Sequence, residues 1–185
     1  MADIRDFVFN KNPMLVLSYL TKNPRKNNMA THVAKALSLS SGSVHAILKG
    51  LESSGLATSK RVGNAVLYEV DNNNPLIKSF RIFDNLLELK GLIDELKKYT
   101  RKIILFGSCS RGEDNAESDI DLFIMADEAE KDKAFKILSG HAGNRDIDHI
   151  IVDTLEFIEM EKSDAVFFNE IMKGIELWEK SDRCD

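Results

Sequence analysis

Cysteine is nearly absent from this 185-residue chain. Cys109 and Cys184 are too few to build a disulfide framework or a zinc site, so neither kind of staple is expected to hold the fold. Long apolar runs are missing as well. None approaches the roughly 18 residues of a membrane span, and the N-terminus is not built as a signal peptide, so a cytoplasmic protein is expected. Nothing suggests disorder beyond the ends. With 43% hydrophobic residues, the length accommodates two small domains.

The charge is unevenly spread. Residues 1–70 hold 9 Lys or Arg against 4 Asp or Glu, whereas residues 71–185 hold 16 against 26. A net basic stretch ahead of an acidic one suits a phosphate-binding module joined to a metal-binding domain.

The basic part reads as a module of its own, residues 1–72. Asn12-Pro13 marks a helix start with Pro at its first position, and Met14, Leu15, Leu17, Tyr19 and Leu20 form its apolar stripe. A second helix near residues 29–37 carries Val33, Ala34 and Leu37. A third follows the serine-rich break at residues 38–41, with Val44, Ile47, Leu48 and Leu51 at helical spacing and Gly55 as its stop. Two strand-like runs, residues 56–61 and 65–70, flank the turn Val62-Gly63-Asn64. Three helices and a hairpin in that order resemble the winged helix-turn-helix of bacterial and archaeal transcription regulators. The resemblance implies binding to double-stranded DNA, with Ser41, Ser43, His45 and Lys49 on the exposed face of the third helix and Lys60 and Arg61 on the wing. A winged helix used for protein contact or dimerisation is the alternative.

Residues 73–98 read as a linking helix that starts at Pro75. Phe80, Phe83, Leu86, Leu87, Leu89, Leu92, Ile93 and Leu96 form a stripe wider than one small domain requires. Pairing with a second copy of the chain would use the surplus, as would packing between domains.

The most informative stretch runs from Leu105 to Met125. Lys102 to Phe106 reads as a buried strand broken by Gly107-Ser108, where a phosphate could approach bare backbone amides. In the strand that begins at Asp119, period-2 alternation puts Asp119 and Asp121 on one face and Ile120, Leu122 and Ile124 on the other. Two carboxylates held so close repel each other unless a cation lies between them. Magnesium, which takes a few carboxylates and completes its shell with substrate phosphates, fits that role. Turn and pair together describe a nucleoside triphosphate site, against the alternative of a polar loop whose carboxylates face water.

Gly107, Ser108, Arg111, Gly112, Ser118, Asp119 and Asp121 follow the pattern of the minimal nucleotidyltransferases of the DNA polymerase beta superfamily, which the chain resembles from about Leu96 to its C-terminus. The resemblance implies an α/β (α+β) fold, a small mixed sheet flanked by helices, over residues 99–185. It further implies that Gly107, Ser108, Arg111 and Ser118 hold the triphosphate, ATP first among candidates, and that Asp119 and Asp121 bind two Mg2+ ions. A third carboxylate on a neighbouring strand completes the site in that family. Asp148 is the choice here, with Asp146 two residues earlier on the same face. Asp153 reads instead as a helix N-cap, and His149 points to the opposite face. Cys109, inside the turn, is either a low-pKa thiol or a small filler.

Helices are expected over residues 128–138, with Ala129, Ala134, Phe135, Ile137 and Leu138 buried, and over residues 155–161 and 165–173. Ile175 to Trp178 reads as a final edge strand. Phe167, Phe168 and Trp178 are read as core residues in preference to a base-stacking surface. Three functional readings follow. The chain transfers a nucleotide to an acceptor hydroxyl; or it is a DNA-binding regulator whose transferase domain only senses nucleotide; or it is an antitoxin-like partner that adenylylates a toxin.

Overall fold

A computed structural model describes residues 11–24, 26, 28–143 and 145–180. The chain divides into two compact units, Met1–Arg81 and Ile82–Asp185. In the first, helices α1 (Lys11–Lys22), α2 (Ala30–Leu37) and α3 (Ser41–Ser53) precede an antiparallel hairpin of β1 (Thr58–Val62) and β2 (Ala65–Glu69). Helix α2 ends at Ser38, which takes the left-handed conformation at φ 55°. The Ser40 hydroxyl then caps α3 by accepting from the Ser43 amide at 3.2 Å, satisfying one of the orphan donors of the first turn. Val62 faces Ala65 across a two-residue turn in which Gly63 has φ +60°, a conformation glycine adopts without a Cβ penalty.

Val16, Leu20, Val44, Leu48, Leu51 and Tyr68 form the centre of this unit's core. The described part of α1 begins at Lys11, so Pro13 stands third rather than first. Its stripe also differs from the expected one: Val16 is fully buried and Leu15 is exposed. Arg81 is buried and donates from Nη2 to the Thr21 carbonyl at 2.8 Å and to Asn72 Oδ1 at 2.6 Å.

Helix α4 (Pro75–Leu96) starts on Pro75 and runs from the first unit into the second. Two of its apolar-stripe positions are exposed, Phe83 and Leu87, while Ile77, Leu89, Leu92 and Leu96 are buried.

The second unit is built on a four-stranded mixed sheet in the order β5-β4-β3-β6. Its strands are β3 (Lys102–Phe106), β4 (Ile120–Met125), β5 (Ile147–Val152) and β6 (Ile175–Glu179), with β3 antiparallel to both β4 and β6, and β4 parallel to β5. One face packs Ile103, Leu105, Ile120, Leu122 and Ile124 against Leu89, Leu92 and Leu96 of α4 and against Ala134 and Leu138 of α6 (Lys131–Ser139). The other packs Ile104, Phe123 and Val152 against α7 (Thr154–Ser163) and α8 (Ala165–Met172), through Phe157, Met160 and Ile171. Each such buried aliphatic side chain contributes about 1.5–3 kcal/mol through the apolar surface it withdraws from water. Along α6 the buried side is narrower than expected, because Phe135 is exposed, as is Ala129 in the 3-10 turn Glu128–Glu130 ahead of it. Phe135 instead lies beside the His149 ring, 5.8 Å away between centroids. Asp153 caps α7 through a reciprocal capping box with Glu156. No helix among the described residues is long and apolar enough to cross a membrane.

Candidate active site

The strand β3 ends where Gly107 turns with φ +65°. One helical turn, α5 (Gly107–Arg111), follows and is closed by Gly112 in the left-handed region, with the Glu113 amide donating to the Ser108 carbonyl at 3.0 Å. Gly107 is required here for a second reason. A Cβ would collide with the Asp121 carboxylate, standing 2.7 Å from its Cγ. The Asp121 side chain therefore lies directly against the backbone of the turn, in keeping with the pairing of Phe106 with Asp121 across β3 and β4.

The parallel pairing of β4 with β5 sets Asp148 opposite Asp121. Asp146 lies before β5 begins and contributes its carbonyl to the Ile120 amide at 3.0 Å. Burial, and then the negative charges of Asp148 and Asp119, push the Asp121 carboxyl above its ordinary range, with Arg111 partly offsetting them. Asp119 and Asp148 are themselves exposed. The structure thus brings Asp119, Asp121 and Asp148 to one end of the sheet, beside Gly107 and within the electrostatic reach of Arg111.

Among the described residues, no three His, Cys, Asp or Glu side chains form a ready-made metal cage. A half-buried carboxylate crowded by two like charges still fits a divalent cation whose remaining ligands come from water and phosphate, the usual habit of magnesium.

Other expected site residues have local roles as well. Arg111 Nε donates to Glu113 Oε2 at 3.1 Å. Ser118 Oγ accepts from the Asn115 amide at 3.0 Å and so braces the loop ahead of β4. Cys109 is fully buried, and burial, the largest influence, pushes its thiol up to about 11. It is a neutral filler, and the low-pKa alternative is set aside. Cys184 lies outside the described residues. Phe167 meets Phe106 edge-on at 6.1 Å, Phe168 packs against Phe157, and Trp178 donates to the Thr100 carbonyl at 3.4 Å.

A buried polar cluster behind the turn was not anticipated. Arg145 donates to Asp114, Asn85 and Glu88, each at 2.8 Å, and Asn85 Nδ2 donates to the Cys109 carbonyl at 3.1 Å and to Asp114 Oδ1 at 3.0 Å. One signal was available in the sequence: Asn85 interrupts the apolar stripe of α4 four residues before Leu89, a buried register for a polar side chain.

In the first unit, Ser41, His45 and Lys49 are exposed on α3, and Ser43 is half-buried. Lys60 and Arg61 are exposed on β1. Lys49 pairs with Glu52 at 3.0 Å, and Glu52 also accepts from Ser59 Oγ on β1, so part of the positive charge on this face is locally balanced.

Several solved structures overlap the chain. A candidate nucleotidyltransferase from Sulfolobus solfataricus does so at 19% identity and a TM-score of 0.40, over 60% of this chain and 94% of that one. A toxin–antitoxin structure with AMP-PNP overlaps at 23% identity and 0.33, over 52% and 75%. TrmBL2, an archaeal chromatin protein with a novel mode of DNA binding, overlaps at 14% identity and 0.30, over 89% and 72%. TM-scores this low mark overlaps too loose to assign an activity. No curated protein matches the chain. The family model described as "Polymerase beta, Nucleotidyltransferase" matches residues 90–183, half of the chain and nearly all of its second unit. The chain belongs to the polymerase beta nucleotidyltransferase family.

Proposed function

We propose that the chain is a magnesium-dependent nucleotidyltransferase whose transferase unit is joined to a DNA-binding winged helix. The observation that carries this reading is the Asp121 carboxyl, pushed up by burial and by Asp148 and Asp119 while pressed against the Gly107 turn. That arrangement is unfavourable for an empty site and suits one that takes a cation with a polyphosphate.

The reaction is attack of an acceptor hydroxyl on the α-phosphate of a nucleoside triphosphate, ATP first among candidates. A new O–P bond forms, the bond between the α- and β-phosphates breaks, and pyrophosphate leaves. Asp119, Asp121 and Asp148 would hold two Mg2+ ions, which when bound offset the phosphate charge at the attacking and leaving oxygens. Gly107 and Ser108 present the backbone of the turn to the phosphates, with Ser118 bracing the loop beside them. Arg111 supplies a positive charge that acts on Asp121. The acceptor's proton passes to a carboxylate, for which Asp148, exposed at the sheet's end, is the candidate.

In the first unit, Ser41, Ser43, His45 and Lys49 would face the major groove, with Lys60 and Arg61 on the wing at the phosphates. Self-association is supported by the exposed side of α4 in the second unit. There Phe83, Leu87, Leu86, Ile93 and Leu177 line a groove of about 390 Å³ that water would otherwise cover.

Asp119→Asn combined with Asp121→Asn tests the reading. Magnesium-dependent ATP binding is expected to disappear while affinity for double-stranded DNA stays unchanged. Undiminished nucleotide affinity in the double variant would sink the site assignment.

A further inference from the structure

The Arg145 guanidinium is only 3% exposed and the Asp114 carboxylate it meets is fully buried, with Glu88 at 20%. Two carboxylates and the amide of Asn85 converge on this one cation. Beyond them, Arg145 Nη1 reaches Cys109 Sγ at 3.5 Å, and the Cys109 thiol donates to the Asp119 carbonyl at 3.4 Å. The cluster therefore touches every segment that carries a proposed ligand. Asn85 grips the turn through the Cys109 carbonyl. Asp114 fixes the loop between Gly112 and Ser118, and Cys109 reaches Asp119. Arg145 itself lies three residues before Asp148, just ahead of β5.

We propose that Arg145 is a positioning residue of the transferase site, holding the turn, the loop and the entry to β5 in the register that lets Asp119, Asp121 and Asp148 share a metal. The inference rests on the proposed role of those three carboxylates. A rigid planar fork is needed, because four acceptors on three segments must be met at once, which a lysine ammonium on a flexible stem does not do. Buried charge pairs often add no net stability over apolar packing, so a fixed geometry is the better account of what the cluster contributes. Supporting groups of this kind typically alter metal affinity by about 10–100-fold when removed.

The test uses the full chain with Arg145→Lys, and with the milder Glu88→Gln as a second variant that leaves the Arg145–Asp114 pair in place. Amide hydrogen exchange and calorimetric binding of ATP, with and without Mg2+, are measured on both. The Glu113 and Ser118 amides, bonded in the loop, are expected to exchange at least about tenfold faster in Arg145→Lys, with Ile103 to Leu105 unchanged. Magnesium-dependent ATP affinity is expected to fall by about 10–100-fold and magnesium-free affinity to stay the same. Glu88→Gln should move both readouts in the same direction by less. Uniformly faster exchange with wild-type Mg–ATP affinity would reduce Arg145 to a structural residue and overturn the inference. A wild-type chain without Mg–ATP affinity would instead overturn the transferase reading on which it rests.

Discussion

Replacing Gly107 by alanine separates two costs that the structure places at one atom. The first is conformational. At φ +65° an L-residue pays roughly 1–2 kcal/mol. The second is steric. The new Cβ would stand 2.7 Å from Asp121 Cγ and 3.2 Å from Asp121 Cβ. Asp121 must then rotate away from its preferred rotamer, at about 0.5–1.5 kcal/mol. Together they amount to about 1.5–3.5 kcal/mol, or a fall in Tm on the order of 10–20 °C for a unit of this size. Circular dichroism melts of Gly107→Ala read that sum directly. In an Asp121→Ala background the clash with the carboxylate is removed, and the conformational part, about 1–2 kcal/mol, should remain beside the tight 3.2 Å contact with the Cβ at position 121. Loss of Mg–ATP binding should accompany the single substitution, since the displaced carboxylate is the most buried of the three. A Gly107→Ala chain that melts within about 2 °C of wild type and binds nucleotide normally would refute the reasoning.

Because the Asp121 carboxyl is raised in the folded state, its contribution favours folding below its unfolded value and is lost as pH rises through the folded one. Asp121→Asn should therefore melt higher than wild type at pH 7 without metal, and the difference should shrink towards pH 4; a lower-melting variant at pH 7 would contradict this. With Cys184→Ser leaving Cys109 as the single cysteine, and its thiol pushed up to about 11, the thiolate at pH 8 is on the order of one part in a thousand. Labelling by a thiol reagent should then await unfolding, and rapid labelling of the native chain would show the thiol to be open. Lys60→Gln with Arg61→Gln should weaken DNA binding across unrelated sequences and reduce the salt slope by roughly 2; an unchanged slope would move the contact off β1.

The sheet was readable in the sequence because its signals are local. An apolar run marks β3, alternation marks β4, and Gly107 interrupts the two where the left-handed turn falls. Parity puts Asp146 and Asp148 on one face, since they are two residues apart, and Asp148 is preferred for its place beside the apolar end of the run. The register of β5 against β4 sets Asp148 opposite Asp121. The expected start of β4 was one residue early, because Asp119 precedes the ladder that opens with Ile120. The polar cluster of Asn85, Glu88, Asp114 and Arg145 could not be assembled in advance, since its members lie up to 60 residues apart and only Asn85, in a buried register of α4, carries a local signal. On α6 the apolar count overstated burial, and Phe135 remains exposed beside His149. Partners and acceptor leave no local pattern, so the three functional readings of the sequence differ only in what happens to a bound nucleotide.

The most direct measurement is titration of the full chain with ATP, GTP, CTP and UTP, with and without Mg2+, while pyrophosphate is followed in the same samples. The account predicts magnesium-dependent binding with slow pyrophosphate release, both lost in the Asp119→Asn, Asp121→Asn chain. Binding without any release would leave either a nucleotide sensor or a transferase whose acceptor is missing from the samples. Absence of binding with every nucleotide would contradict the site itself.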